Sequence, residues 1–422
     1  HFKTDYQTNI IVCSFTPLSK NSQPFYSKVK GYSNIELGVK ANDSTKFRIG
    51  SNTKQFTAIA VLKLMEDGKL DLSDTIQTFL PDFPVKDYSI TIEHLLTHTS
   101  GLAEITELDI FYTHLMKNGG NPVSLLRYFQ DLPLNFPPGS RFSYSNSGYH
   151  VLGLIIERAS GVSYNEYIRT NLLTIAEMDN TLPDDNSSII YNRANGYEEL
   201  FATLRNADYI DMSIPYSGGS LLSTSEDLNK WYKALSDYRI VSEKTLKMAH
   251  SPFQLSDGTY SNYGYGWFID SLQGEKIISH EGGINGFLSS VWFVPSPKIL
   301  TVLLSNCSCN PTVKTAEQLT AIAIGKPLPE KKRIKLSDTL LKTYSGIYLM
   351  DGEEWIISIK EKELYFQFPN GNGHPIYPLS ENEFFAEEWD SEFEFYESKG
   401  KVEFHFIYLG EVMDQRHFVG RS

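Results

Sequence analysis

The sequence predicts an α+β domain, with helices packed on a sheet and a largely helical region, followed by a small antiparallel β-barrel. Three observations carry this. Apolar residues recur at helical spacing from Asn52 to about Glu66 (Phe56, Ile59, Ala60, Leu62, Leu64, Met65), an amphipathic pattern that Gly68 stops. Strand-like runs stand at both ends of the first 325 residues and helical ones between them, so one sheet draws its edges from both ends. Beyond the linker-like "GKPLPEKKRIK" (Gly325 to Lys335) the apolar period changes to two.

Taken in order, "NIIVCSF" reads as a buried strand and "YSKVKGYSNIELG" as strands around turn residues. "TIEHLLTHTSGL" predicts a short helix ending at Gly101, and a mainly helical stretch runs on to about residue 240. It is broken by "NFPPGSRFSYSNSGY" and by "IPYSGGSLLSTSEDLNKW", where Ser225 with Glu226 and Asp227 opens a new helix. From Tyr263, "GYGWFID", "KIISHEGG", "GFLSSVWFVP" and "ILTVLLSN" form an antiparallel meander, with "TAEQLTAIAIG" as a closing helix. This divides the chain into a domain over 1–325, a linker over 326–335 and a barrel over 336–422. In the barrel, Trp355, Ile357 and Ile359 alternate, as do Phe393 and Phe395, and Val402, Phe404, Phe406 and Tyr408. These stripes read as its core; a lipid or ligand cavity is the other reading.

The 422 residues carry a net charge of −13, and residues 334–422 hold 17 acidic against 8 basic side chains. That excludes nucleic acid and an anionic membrane as natural partners, since both call for a basic face. No apolar run reaches the roughly 18–20 residues of a membrane span. The chain starts at His1 without a methionine, which a cleaved export signal or a shortened chain would each explain. Of three cysteines, Cys307 and Cys309 are one residue apart, too close for an unstrained bridge; Cys13–Cys307 is a possible pair, and free unreactive thiols are expected.

Ser-x-x-Lys occurs three times, at Ser27-Lys30, Ser51-Lys54 and Ser398-Lys401. The first lies in a strand and the third in a hairpin turn. Only Ser51-Lys54 opens a helix, where a three-residue step puts both side chains on one face and the helix N-terminus adds positive potential. A helix cap would look similar locally, so the remaining motifs decide. Tyr144-Ser145-Asn146 follows the rigid "FPPG" turn; in an extended segment Tyr144 and Asn146 point the same way, and a neighbouring ammonium would lower the phenol towards use as a base. His280-Glu281-Gly282 ends one strand, and Gly282 and Gly283 leave room for close backbone approach. The N–H groups of Ser51 and Gly283 would form an oxyanion hole, each donor worth about 3–4 kcal/mol of barrier. His94 and His98 have a spacing metals use, but no third ligand accompanies them and no metal is expected.

In this order, Ser51-x-x-Lys54, Tyr144-x-Asn146 and His280-x-Gly282 resemble the motifs of the penicillin-recognising serine hydrolases, in particular the class C β-lactamase-like branch with its DD-carboxypeptidases, D-aminopeptidases and esterases. The resemblance spans about residues 10–325 and includes "LLTHTSGL", "YSNSGYHVLGLIIE", "GGSLLST" and "YGYGWF". It implies a five-stranded antiparallel sheet with the site between sheet and helices, and no cofactor. It makes Ser51 the acylated nucleophile, Lys54 its proton partner and Tyr144 the proton shuttle and activator of water. Asn146, His280, Gly282 and Gly283 would bind substrate. The C-terminal part resembles the lipocalin-like barrels of some members, and the family implies a periplasmic or secreted location. His280 stands where many members carry Lys-Thr-Gly, which argues against strong β-lactamase activity.

The function expected is a serine hydrolase acting on a small-molecule or peptide ester or amide. The alternative is a catalytically weak protein that binds cell-wall peptides or another partner in the same cleft; the barrel as gate or ligand holder is a third reading. Substrate choice is expected from loops 102–143 and 183–217. Oligomeric state is left open.

Overall fold

Strand-forming segments from the two ends of the larger unit meet in one sheet. The computed structural model describes residues 11–17, 26–200, 203–329, 331–350, 353–367, 369, 373–386, 391–398, 400–408 and 411–420. The chain divides into two compact units, the larger ending at Pro327 and the smaller continuing from Leu328. The central sheet contains β1 (Ile11–Pro17), β2 (Tyr26–Lys30), β3 (Phe268–Leu272), β4 (Glu275–Ile284), β5 (Phe287–Val294) and β6 (Ile299–Ser305). Their order is β3-β4-β5-β6-β1-β2, and every pairing is antiparallel. The sheet has one strand beyond the five implied by the family resemblance, with β2 as one edge strand, pairing Val29 with Val12. Residues 9 and 10 of the expected first strand lie outside the described residues.

The helix predicted over 52–66 is α1 (Thr53–Glu66), preceded by a 3-10 turn over Gly50–Asn52. It is not the half-exposed helix its spacing suggested. Thr53 to Leu62 and Leu64 are all buried, so α1 is the central helix, covered on every side. Its polar side chains are therefore bonded inside: Thr57 Oγ1 donates to the Ser217 carbonyl (2.6 Å) and Gln55 Nε2 donates to Asn52 Oδ1 (2.7 Å). Beside it runs α2 (Asn146–Ser160), capped by Ser145 Oγ, which accepts from the Gly148 N–H (3.0 Å).

A further helix, Ser225–Ser236, is capped by Thr224, and Thr312–Ala323 packs on β5 and β6. The short helix Ile92–Leu96 ends before Gly101, because the chain turns through His98 at φ 57°. The middle of the unit is less helical than expected. It contains the short strands Leu182–Pro183, Tyr197–Leu200, Thr203–Asn206 and Leu221–Ser223. Cys307 and Cys309 are joined in a disulfide rather than free. Ser305 Oγ accepts from the Cys307 N–H (3.0 Å), turning the chain after β6 so that the two Cα atoms come within 5.1 Å, inside disulfide range.

The smaller unit begins with a helix the sequence did not announce, Asp338–Tyr344. Eight antiparallel strands follow, from Gly346–Met350 to Glu411–Gly420, closed by pairing of the first with the last. Its described interior is filled by Tyr348, Ile357, Leu364, Phe366, Ile376, Phe384, Phe393, Phe395 and Phe404. Ile357, Phe393, Phe395 and Phe404 of the stripes are therefore core, with Trp355, Val402 and Phe406 partly buried against it; Ile359 at a strand end is 37% exposed, and the side chain of Tyr408 lies outside the described residues.

The feature that positions the site is the free edge of β4. Strand β3 pairs with it only as far as Ser279, and the residues beyond run against the Gly50–Asn52 turn. A Cβ on Gly282 would lie 2.0 Å from the Ile49 carbonyl oxygen and 2.4 Å from Ser289 Oγ, whereas one on Gly283 would meet only Leu288 Cδ2, at 3.7 Å. Gly282→Ala is therefore expected to cost about 1–3 kcal/mol through overpacking and to lower the Tm of the larger unit by several degrees. Gly283→Ala should leave that Tm nearly unchanged. Differential scanning calorimetry of the two variants checks the pair, and equal Tm values would refute the close-packing argument.

Candidate active site

The Gly50–Asn52 turn is fixed from three sides. Asn52 Nδ2 donates to Ser289 Oγ on β5 (2.7 Å), and Ser289 Oγ donates to the Ile49 carbonyl (2.8 Å). The Ile49 N–H donates to the Leu221 carbonyl (3.0 Å), and the Leu221 N–H donates to Thr53 Oγ1 (3.1 Å). Just before the turn, the Asp184 carboxylate takes Arg48 Nε (2.7 Å) and Arg193 Nη1 (2.8 Å). Ser51 is partly exposed and does not serve as a side-chain cap; α1 is entered through Asn52 with no side-chain cap at all.

One turn on, the Lys54 side chain is completely buried. Its Nζ lies 2.8 Å from Asn146 Oδ1, 2.9 Å from the Gly218 carbonyl oxygen and 3.2 Å from Ser51 Oγ. Burial pushes the amine down to about 7, against a smaller upward pull from the Glu104 carboxylate. At neutral pH a large share of it is thus the free amine. A neutral amine has two N–H bonds and one lone pair. Asn146 and Gly218 are pure acceptors at this point and take the two hydrogens, which leaves the lone pair for the Ser51 hydroxyl.

Tyr144 closes over this amine, with Nζ 4.7 Å from its ring centroid. The expectation that the ammonium would lower the phenol is reversed. Burial pushes Tyr144 well above its ordinary value, and nearby Ser51 offsets only part of that. Burial disfavours charge on both groups, so near neutral pH it favours the free amine of Lys54 and the protonated phenol of Tyr144. The Tyr144 hydroxyl makes no hydrogen bond of ordinary geometry among the described residues, although Ser51 is near enough to influence it.

His280 is also placed otherwise than expected. It is 1% exposed, its Nε2 pairs with the Tyr263 hydroxyl (2.9 Å) and its Nδ1 lies 2.6 Å from the Glu281 carbonyl oxygen. Burial, with Lys54 nearby, pushes the imidazole down to about 3. It is neutral, both nitrogens are engaged, and it supports the Tyr144 ring from behind (centroids 6.1 Å apart) instead of lining the cleft. Gly282 likewise serves close packing; Gly283 and Asn146 do face the cleft.

Two groups were missed by the sequence reading. Glu104 is 7% exposed, and its carboxylate accepts the N–H groups of Asn146 (2.6 Å) and Ser147 (3.2 Å) at the start of α2. It also accepts from Asn146 Nδ2 (3.0 Å) and from the Thr106 hydroxyl (2.7 Å). Since a carboxylate only accepts, the Asn146 amide must turn its Nδ2 to Glu104 and its Oδ1 to Lys54. The only signal was an acidic residue just past "LLTHTSGL". His98 is the second. Its Nδ1 accepts from the Ser145 N–H (2.9 Å), its carbonyl accepts from the Ser143 N–H (2.9 Å), and its ring lies 4.2 Å from that of Tyr144. His94 instead accepts the Thr91 N–H through Nδ1, so the two histidines share no ligand.

Ser51 opens into a cleft of about 210 Å³. Its walls come from 105–116 and 210–215, inside the two loop regions expected to set specificity, and from Gly283 to Asn285. Among the described residues no group of histidine, cysteine and acidic side chains could hold a metal ion, and no helix is long and apolar enough to cross a membrane.

A serine in the turn that opens a buried helix and a lysine one turn on, with a tyrosine and an asparagine beside them and a strand edge opposite, define the serine β-lactamase and penicillin-binding-protein superfamily. The chain belongs to its Beta-lactamase family, whose model matches residues 18–324. Penicillin-binding protein 4* of Bacillus subtilis (strain 168) is 28% identical over 401 residues, covering 86% of each chain. Two solved structures are similar. The octameric penicillin-binding protein homologue from Pyrococcus abyssi matches with TM-score 0.70 and 26% identity over 98% of this chain and 97% of that one. The penicillin binding protein from Bacillus halodurans matches with TM-score 0.65 and 28% identity over 74% of this chain and 95% of the other.

Glu104→Gln puts an amide N–H₂ among donors. It is expected to lower stability by about 1.5–3 kcal/mol, the usual worth of hydrogen bonds to a charged group. With the negative charge gone, the pKa of Lys54 should fall below its wild-type value. Calorimetry and NMR titration of the Lys54 Cε resonance test both effects; an unmoved titration would remove Glu104 from the electrostatics of the site.

Proposed function

We propose that the protein is a serine hydrolase that forms an acyl-enzyme on Ser51 and cleaves an ester or amide without a cofactor. The observation that carries this is the buried Lys54 amine, whose two other partners leave its lone pair for Ser51 Oγ at 3.2 Å. In this reading Ser51 Oγ attacks the carbonyl carbon while its proton passes to Lys54 Nζ. The carbonyl π pair moves to the oxygen, which the N–H groups of Ser51 and Gly283 hold. Support for that pairing is the approach of the two backbones, since a Cβ on Gly50 would stand 3.0 Å from Gly283 N. As the tetrahedral adduct collapses, the bond to the leaving group breaks and Lys54 returns the proton to it through the Tyr144 hydroxyl. Water then attacks the carbonyl carbon of the Ser51 ester, giving its proton to Lys54 by the same route; the bond from that carbon to Ser51 Oγ breaks, Lys54 returns the proton to Oγ, and the acid product leaves. Asn146 keeps the amine in place and presents its remaining N–H to substrate. A periplasmic or extracellular setting belongs to the proposal and is supported by the penicillin-binding relatives.

Intact-protein mass after incubation with a fluorophosphonate is the direct test. One phosphonyl adduct is expected on the wild-type chain and none on Ser51→Ala, whose turnover of any substrate should drop by roughly 10³-fold or more. An unmodified wild-type protein would favour the binding-protein alternative. Because the base is the neutral amine, its fraction rises with pH, so kcat/KM should climb through pH of about 7 and level off above it. Lys54→Met should abolish the limb together with most of the activity. A profile flat from pH 5 to 9 would exclude Lys54 as the base.

A further inference from the structure

We propose that the Ser51 cleft is built for a neutral, apolar acyl group and selects against substrates that carry a charge close to the scissile carbonyl. This rests on the hydrolase reading above and names its substrate class. A volume of about 210 Å³ is small. It lies below the range of pockets for drug-sized ligands and suits a short acyl chain or one ring.

Much of the lining of that space is apolar. Ile105, Phe111, Met116, Ile210, Ile214 and Ile284, the neighbour of Gly283, contribute to it. No Lys, Arg, Asp or Glu lines it among the described residues. Three of the polar lining groups are committed to the protein: the Thr106 hydroxyl donates to Glu104 (2.7 Å), Asn285 Nδ2 donates to the Asp208 carbonyl (2.9 Å), and His150 Nε2 pairs with the Pro122 carbonyl (2.7 Å). The Glu104 carboxylate and the Lys54 amine are engaged as well. Glu104 has its oxygens filled by α2 and Thr106, and Lys54 is held by Asn146 and Gly218. A carboxylate or ammonium brought into this space would lose its hydration and meet no counter-ion. An added methylene, by contrast, should multiply binding roughly fourfold. Free D-amino-acid amides, cationic next to the carbonyl, and peptides with a free terminal carboxylate one residue away are both disfavoured relative to neutral acyl esters and amides.

The test keeps one leaving group and varies the acyl part. kcat/KM is measured for p-nitrophenyl acetate, butanoate and hexanoate, and for two charged analogues of butanoate, the monosuccinate anion and the 4-(trimethylammonio)butanoate cation, with spontaneous hydrolysis subtracted. The assignment expects a rise of roughly 10-fold or more from acetate to hexanoate, and both charged esters at least about 10-fold below butanoate. A flat neutral series, or a charged ester equal to butanoate, overturns it. Ile284→Lys, at a half-buried position, should bring the monosuccinate up by about 10-fold relative to butanoate. Fluorophosphonate labelling of Ser51 in the same samples separates two failures. Labelling with a flat series overturns the cleft assignment alone, and absent labelling overturns the hydrolase reading with it.

Discussion

The site depends on keeping a lysine amine out of water. Lys54 sits on a helix buried all round, under the rings of Tyr144 and Tyr149, with neutral His98 and His280 behind. Each of these groups lowers the local polarity, and burial is the largest cause of the shift in every one of them. A buried ammonium would need a paired anion. What it finds instead is one amide oxygen and one peptide oxygen, enough to hold a neutral amine and too little to hold a cation firmly. The nearest carboxylate stands one residue removed, behind Asn146, where it sets the orientation of the amide without neutralising the lysine directly.

Much of the surrounding architecture serves this placement. The Gly218 carbonyl reaches Lys54 because the 216–219 turn is held by Thr57 and Tyr149 backbone and side-chain contacts, and because Gly153 on α2 has no side chain; a Cβ there would stand 2.2 Å from Ser217 Oγ. Tyr216 reaches down to Glu157 Oε1 (2.8 Å), which also takes the Tyr164 N–H (2.9 Å). The lysine is thus gripped from α2 twice, directly through Asn146 and indirectly through the turn that α2 supports.

What the sequence made legible was what is local or periodic. Ser51 and Lys54 are one helical turn apart, Tyr144 and Asn146 two residues apart, and the barrel stripes follow the two-residue period of strands. Contacts across the fold left no such trace. Glu104 looks like any loop glutamate until α2 points its N-terminus at it, and the amphipathic spacing of α1 concealed that its polar residues would be bonded in the interior. Side chains alternate along β4, so His280 shares a face with Gly282, whose close packing on Ile49 only the folded chain reveals. The cysteine pair was misjudged because spacing alone does not show how the chain turns after β6.

The order of strands in the central sheet also bears on how the protein is made. Strands β1 and β2 pair with each other, but nothing joins this pair to the rest of the sheet until β6 exists, since Val12 pairs with Leu304. During synthesis the first strands must therefore wait while nearly the whole larger unit is translated. Such remote pairing is slow and leaves edges open to wrong partners. The serine turn, tied to both the 218–221 segment and the β4 edge, is completed in the same late step. A growing chain carries its reactive serine and lysine early but can assemble them into a working pair only at the end.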